Sequence, residues 1–170
     1  VDRKVVSNTS LTLDEKERKY LWDTEHQGTL LRKFGIKPLV DALEARDGEA
    51  IAKQLSATFQ GLVPTTEAQV QRSVLGLGMA NRWELAKSNR KLLDRDGFIR
   101  WLQDILGRYG KDPKARISLM QFAPEKRYEL EGVWRGNVQM KFFGETEPGK
   151  PCEVVVYIDF EINKPTEEGL

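Results

Sequence analysis

Apolar and polar residues alternate almost without fault over two late stretches, 128–143 and 152–162. In the first, Tyr128, Leu130, Trp134, Val138, Met140 and Phe142 share one parity, and Glu129, Glu131, Arg135, Asn137, Gln139 and Lys141 share the other. In the second, Cys152, Val154, Val156, Ile158, Phe160 and Ile162 alternate with Glu153, Val155, Tyr157, Asp159 and Glu161. A period of two predicts strands with one face on a core and the other in water. The segment 144–151 between them (Gly-Glu-Thr-Glu-Pro-Gly-Lys-Pro) is turn chemistry, so the pair reads as a long antiparallel hairpin. A shorter strand is expected at 116–122, ended by Pro124.

Before residue 116 the pattern is helical. Residues 1–11 read as a polar lead-in. Thr12 and Glu15 have the spacing of a capping box, with Thr12 as N-cap. The helix that follows carries Tyr20, Trp22, His26, Leu30, Leu31 and Phe34, and Gly35 is its expected stop. Pro38 suits the first turn of a second helix bearing Leu39, Val40 and Leu43. Asp47-Gly48 turns the chain and caps a short third helix with Ile51, Leu55 and Phe59 on one side. Residues 61–66 break the pattern. In 67–89, Gly76 and Gly78 weaken both helix and strand, so partly irregular structure over a pocket or interface is expected. Asp94 or Asp96 caps the clearest helix, with Phe98, Ile99, Trp101, Leu102, Ile105, Leu106 and Tyr109, stopped at Gly110. Helices first and strands after call for an α+β fold, with helices packed on one face of an antiparallel sheet. Residues 12–164 read as one domain and 165–170 as a tail or truncated linker.

A chain of 170 residues suffices for one domain that buries roughly two thirds of its unfolded surface. With 31% charged residues and a net charge of +1, it lacks the concentrated basic footprint that nucleic acid requires. No apolar run approaches the ~20 residues of a membrane span. The single cysteine, Cys152, forbids an internal disulfide, which weakly favours a reducing compartment, although a secreted chain can also lack disulfides. The start at Val1, the lack of a signal-peptide pattern and the stop soon after a strand read as a trimmed piece, either a processed chain or an excised domain.

His26 is the lone histidine, one helical turn from Trp22 and flanked by Asp23 and Glu25. It is a candidate general base or ligand-orienting donor. The plainer reading is a helix-surface histidine with an ordinary hydrogen bond. One histidine with a distant cysteine does not make the usual zinc sets, so neither metal nor cofactor is expected. Asp159 and Glu161 face the same way and could work as a carboxylate pair, or simply complement Arg135 or Lys141 across the hairpin. Tyr128, Trp134, Met140, Phe142 and Phe160 line either a ligand pocket or a plain core. On the opposite face Val133, Val155 and Tyr157 interrupt a polar surface, as a dimer seam or as tolerated surface apolars. Gly76-Leu77-Gly78 lacks the third glycine and lysine of a phosphate loop, and 90–96 (Arg-Lys-Leu-Leu-Asp-Arg-Asp) reads as a mixed-charge lead-in to a helix.

The segment PLVDALEARDGEAIAKQLSATFQG at 38–61, with Leu39, Val40, Leu43, Asp47, Gly48, Ile51, Leu55, Phe59 and Gly61, resembles the nuclear transport factor 2-like superfamily and its SnoaL-like members. The later helix and closing hairpin follow that family's order. YLWDTEHQGTLLRKFG at 20–35 resembles the lead-in to such a domain in large multidomain bacterial proteins. The resemblance implies a cystatin-like cone, a strongly curved antiparallel sheet wrapped around helices and often dimerised through its outer face. Its enzymes place an acidic residue or a His–Asp pair inside the cone. Here Glu153, Asp159 and Glu161 lie on the polar parity, while the inward parity offers Trp134, Met140, Val154, Val156 and Phe160.

The expected function is therefore a non-catalytic ligand-binding or protein-interaction domain, a module of a larger chain. The pocket candidates are Trp22, His26, Phe59, Trp134 and Met140 around a small apolar ligand, and the homodimer candidates are Val133, Val155 and Tyr157. The alternative is an isomerase, cyclase or dehydratase acting on an apolar carbonyl or ring compound, with His26 as base and Trp22 and Trp134 shaping the pocket. A structural spacer, its cone filled by its own side chains, is the third reading.

Overall fold

The computed structural model describes residues 14–65, 70–73, 79–82 and 90–164, so most of the expected irregular segment 67–89 lies outside it. Helix α1 (Glu15–Leu30) begins at Asp14, whose carboxylate accepts the Glu17 N–H at 2.7 Å. Glu15 and Glu17 in the first turn complement the positive end of the helix dipole. Thr12, the expected cap, is outside the described residues.

The stop expected at Gly35 does not occur. Leu31–Ile36 forms a π-helical turn, and the chain runs straight on into α2 (Lys37–Glu44). Pro38 supplies a reason. In a regular helix its ring would press on the Phe34 carbonyl and leave that oxygen without a donor. A π turn inserts one residue and lets the carbonyls shift, so that the Lys37 N–H reaches Arg32 instead. Gly35 is buried inside this turn.

Helix α2 ends in a Schellman arrangement: Arg46 N–H bonds the Leu43 carbonyl, and Asp47 N–H bonds that of Ala42. Arg46 takes the left-handed conformation (φ 55°) that usually falls to glycine. Its guanidinium is held by the carbonyls of Tyr109 and Gly110, at 3.0 and 2.5 Å. Asp47 then caps α3 (Gly48–Lys53), as expected, accepting from Ala50 N–H at 3.0 Å. The helix stops at Lys53, so Phe59 follows a turn rather than extending the helical face.

Where 61–66 was expected only to break the pattern, β1 (Gln60–Pro64) forms. Strands β2 (Val70–Ser73) and β3 (Met79–Arg82) pair with one another, antiparallel. The charged lead-in at 90–96 supplies β4 (Arg90–Asp94), which pairs antiparallel with β1. Asp94 ends this strand and also caps α4 (Arg95–Leu106), taking the Gly97 N–H at 2.8 Å. The helix ends at Gly107 rather than Gly110, and Tyr109 lies just beyond it.

Strands β5 (Lys114–Pro124), β6 (Val133–Glu147) and β7 (Lys150–Asn163) form an antiparallel meander in that order. The expected hairpin is present, turning at Pro148-Gly149 with Gly149 at φ 75°. Its parity is also as expected: Trp134, Val138, Met140 and Phe142 are buried. Tyr128 and Leu130 are the exception, since they precede β6. Tyr128 sits at φ 71°, and the Trp134 indole N–H donates to the Leu130 carbonyl at 3.0 Å.

Leu43, Ile51, Val63, Leu102 and Leu106 pack with Ala115, Met140 and Phe142 from the sheet. Each wholly buried large side chain contributes about 1.5–3 kcal/mol. The fold is α+β, with helices seated on the apolar face of an antiparallel sheet.

Candidate functional site

Strand β7 is an edge strand, and its inner face is not sealed. Cys152, Val154, Val156, Ile158, Phe160 and Ile162 are all half-buried, whereas Trp134, Val138, Met140 and Phe142 facing them on β6 are buried. Helices α1 and α2 lean on β5 at the far edge of the sheet. This gap belongs to an open concavity of about 2900 Å³ that also wraps over the free edge of β7. Its helical wall includes Leu31, Gly35, Ile36 and Leu39, and its remaining side includes Phe59, Phe98 and Trp101.

The inward face of the sheet wall is chemically plain, and the charged lining residues Arg135, Glu153, Asp159 and Glu161 belong to the outer face and the open edge. Among the inward positions of β7 only Cys152 can ionise, and it lies at the end nearest Tyr109. The Tyr109 hydroxyl donates to the Phe142 carbonyl at 2.8 Å. Burial, and then the neighbouring Cys152, push its pKa up to about 12. Acidic residues of β7 face the other way: Glu161 pairs with Arg135 at 2.8 Å and Glu153 with Lys141 at 3.5 Å. The Glu161–Arg135 pair is a cross-strand partnership that the hairpin pattern allowed for. Lys141 takes Glu153 instead, and Asp159 enters no ion pair among the described residues. Among the described residues no group of three or more His, Cys, Asp or Glu side chains could hold a metal ion. No helix among them is long and apolar enough to cross a membrane.

Of the residues singled out for a pocket, Phe59 and Met140 line the concavity. Trp134 is wholly buried (0% exposed), packed on Phe122 at 4.9 Å between ring centroids, and does not reach it. Trp22 is 65% exposed and stacks in parallel on the exposed His26 at 5.3 Å, away from the concavity. Leu31, Ile36 and Trp101 were not singled out for it. The first two became visible only once the chain continued through Gly35.

On the outer face the three interface candidates do not form one patch. Val155 and Tyr157 are neighbours, joined by the exposed Phe143. Val133 lies about 20 Å along β6 from the Tyr157 partner Gln139, with the Arg135–Glu161 and Arg135–Glu125 pairs between.

A cluster that sequence reasoning missed holds α1 to the connection before β6. Glu17 accepts from the Tyr128 hydroxyl at 2.7 Å and from Arg127 at 2.5 Å. Tyr20 meets the Tyr128 ring edge-on at 5.0 Å, and Lys16 lies 4.2 Å above that ring. The Tyr128 hydrogen bond and the Arg127 guanidinium hold the Glu17 carboxyl below its ordinary pKa, and the same bond to Glu17 raises that of Tyr128. The parity of Tyr128 had marked it as a strand residue, and no local signal tied it to a helix more than a hundred residues away.

Comparisons with protein-family models, with curated proteins and with solved structures find no match.

Proposed function

We propose that this chain is a non-catalytic binding domain of the nuclear transport factor 2-like type, whose concavity takes an elongated apolar ligand. In this reading the sheet is the curved wall of a cone and the helices its opposite wall, open along β7. One observation carries it: alternate residues of β7 from Val154 to Ile162 are apolar and only half-buried, and they face the concavity. Apolar surface left in contact with water forgoes about 25 cal/mol per Å², and a continuous apolar strip of this kind marks a contact surface. The strip is linear, its side chains about 7 Å apart along the strand, which suits a ligand lying along β7.

The alternative of a His26-based isomerase, cyclase or dehydratase draws no support from the geometry, because His26 and Trp22 stack outside the concavity. The test is a titration with N-phenyl-1-naphthylamine, an apolar ring probe, followed by displacement with a long-chain fatty acid. Saturable binding at one site per chain is expected, with loss of binding in Val156→Asp and Ile158→Lys variants that keep the native circular dichroism. Absence of saturable binding, or binding indifferent to both substitutions, overturns the proposal.

A further inference from the structure

The two edges of the three-stranded sheet are finished differently. On β5 the Ala115 N–H donates to the Glu44 carboxylate of α2 at 3.0 Å, and Lys114 pairs with the same carboxylate at 3.5 Å. A register shift between Leu119 and Gln121 interrupts that strand further along. Caps, charges and bulges are the devices that keep a sheet edge from pairing with another chain. On the opposite side, β7 has β6 as its one strand partner among the described residues. Over 152–163 it runs without a bulge and without a proline. Its outward backbone N–H and C=O groups form a long template for one more strand.

Charge on this edge is one-sided. Between Lys150 and Lys164 the strand carries Glu153, Asp159 and Glu161, all exposed on the outer face, and no base. From β6, Lys141 meets Glu153 at 3.5 Å and Arg135 meets Glu161 at 2.8 Å. Asp159 stands opposite the neutral Asn137 and has no such partner among the described residues. Tyr157 on the same face is 72% exposed, and the inner face is the half-buried apolar strip. A further strand therefore meets anions on its outer side and apolar groups on its inner side.

A second copy of the chain does not supply that complement. Pairing β7 with itself across a two-fold axis, in the two registers that keep nearly all of it paired, sets Glu153 opposite Asp159 or opposite Glu161. Like charges directly opposite destabilise a sheet. A second copy's β5 offers Lys114 and Arg116, but Glu44 closes that edge.

We propose that the free edge of β7 takes up an extended segment of another protein in which apolar residues alternate with Lys or Arg. The segment's backbone continues the ladder, and its apolar side chains shield the β7 strip on the helix side. Its bases lie beside Glu153, Asp159 and Glu161. The contact uses the strand's edge and outer face, so it neither rests on the apolar-ligand reading nor falls with it.

The test is a titration of the full chain with a capped octapeptide alternating Lys and Val, followed by nuclear magnetic resonance and amide hydrogen exchange. Saturable binding is expected, with new protection at alternate β7 amides, those pointing away from β6. In strand pairing only one alternate set of the peptide's N–H groups faces β7. Of two isomers, N-methylated at every Val or at every Lys, one should lose binding while the other keeps it. An octapeptide alternating Glu and Val should bind roughly tenfold more weakly or worse. Asp159→Lys leaves the Glu153 and Glu161 pairs in place, so melting temperature and naphthylamine binding should hold. Its affinity for the basic peptide should fall roughly fivefold.

The proposal is overturned if the basic peptide does not bind saturably, if both methylated isomers bind alike, or if the acidic peptide binds as well. Unchanged affinity in Asp159→Lys overturns it too. If the outward β7 amides are protected before peptide is added, the edge is already taken, by the chain itself or in a dimer by a second copy, and the proposal falls. Naphthylamine binding that persists in any of these cases leaves the apolar-ligand reading standing.

Discussion

The Tyr109 hydroxyl donates to the Phe142 carbonyl at 2.8 Å with both residues buried, tying the end of α4 to the middle strand of the sheet. Around this bond, Arg46 grips the Tyr109 carbonyl and Gly110 N–H donates to Glu145 at 2.8 Å. A Cβ on Gly144 would lie 3.3 Å from the Tyr109 ring. These bonds pin the helical layer to the sheet beside the Cys152 end of the concavity.

The Tyr109 hydroxyl titrates near 10 in an unfolded chain and at about 12 here, raised by burial and then by Cys152. A raised folded-state pKa stabilises the fold below the unfolded value, and that contribution fades as pH climbs from 10 towards 12. Tyr109→Phe should cost about 1 kcal/mol at neutral pH. It should also flatten the alkaline loss of stability in that window. Urea unfolding of both proteins across the alkaline range checks the sign, and a variant that keeps the parent's alkaline slope contradicts it.

Gly136 is the close-approach point of the sheet. Phe122 and Phe160 stack across it at 6.0 Å, and a Cβ there would lie 2.6 Å from the Phe160 ring and 2.7 Å from the Gln121 carbonyl. The ring could move, but a carbonyl in the strand ladder has nowhere to go. Gly136→Ala should therefore destabilise by about 1–3 kcal/mol, the usual cost of overpacking. The urea midpoint should fall with the denaturant slope unchanged.

Glu17 provides an acid-side counterpart. Its carboxyl is held below 4.5 chiefly by the Tyr128 hydroxyl, then by Arg127. A depressed carboxylate pKa contributes stability above the unfolded value, and that contribution is lost as pH falls through the folded one. Tyr128→Phe should raise the Glu17 pKa back towards 4.5. A carboxyl-carbon titration by nuclear magnetic resonance would follow it, and an unmoved pKa would leave Arg127 as the governing partner.

The long hairpin was legible because each strand puts one face on the helices and the other in water, so burial writes itself into parity. Strands β1 and β4 were not. Only Val63 of β1 is buried, and a short ribbon with one anchored side chain leaves no alternation to read. Gly35 misled in the other direction, because glycine marks helix ends in most chains and here a π turn carries the helix through it. Pro38 does sit in the first turn of α2. Within the site, Phe59 and Met140 were readable as apolar positions on the inner side. Trp22 and His26 were not, since i, i+4 spacing says that two residues share a face but not which face meets the core.

The Trp22–His26 pair distinguishes a surface feature from a working one. The rings stack within 3° of parallel on the exposed side of α1, and no described residue hydrogen-bonds the imidazole. An exposed side chain without a buried partner changes stability by no more than about 0.5 kcal/mol when removed. His26→Ala should therefore unfold at the parent's urea midpoint and bind the apolar naphthylamine probe with unchanged affinity. Trp22→Ala should behave the same way, with the loss of one exposed indole from the fluorescence spectrum as its only signature. A His26→Ala protein that folds normally but loses ligand binding or turnover would bring the histidine back as a functional group, and with it the enzyme reading.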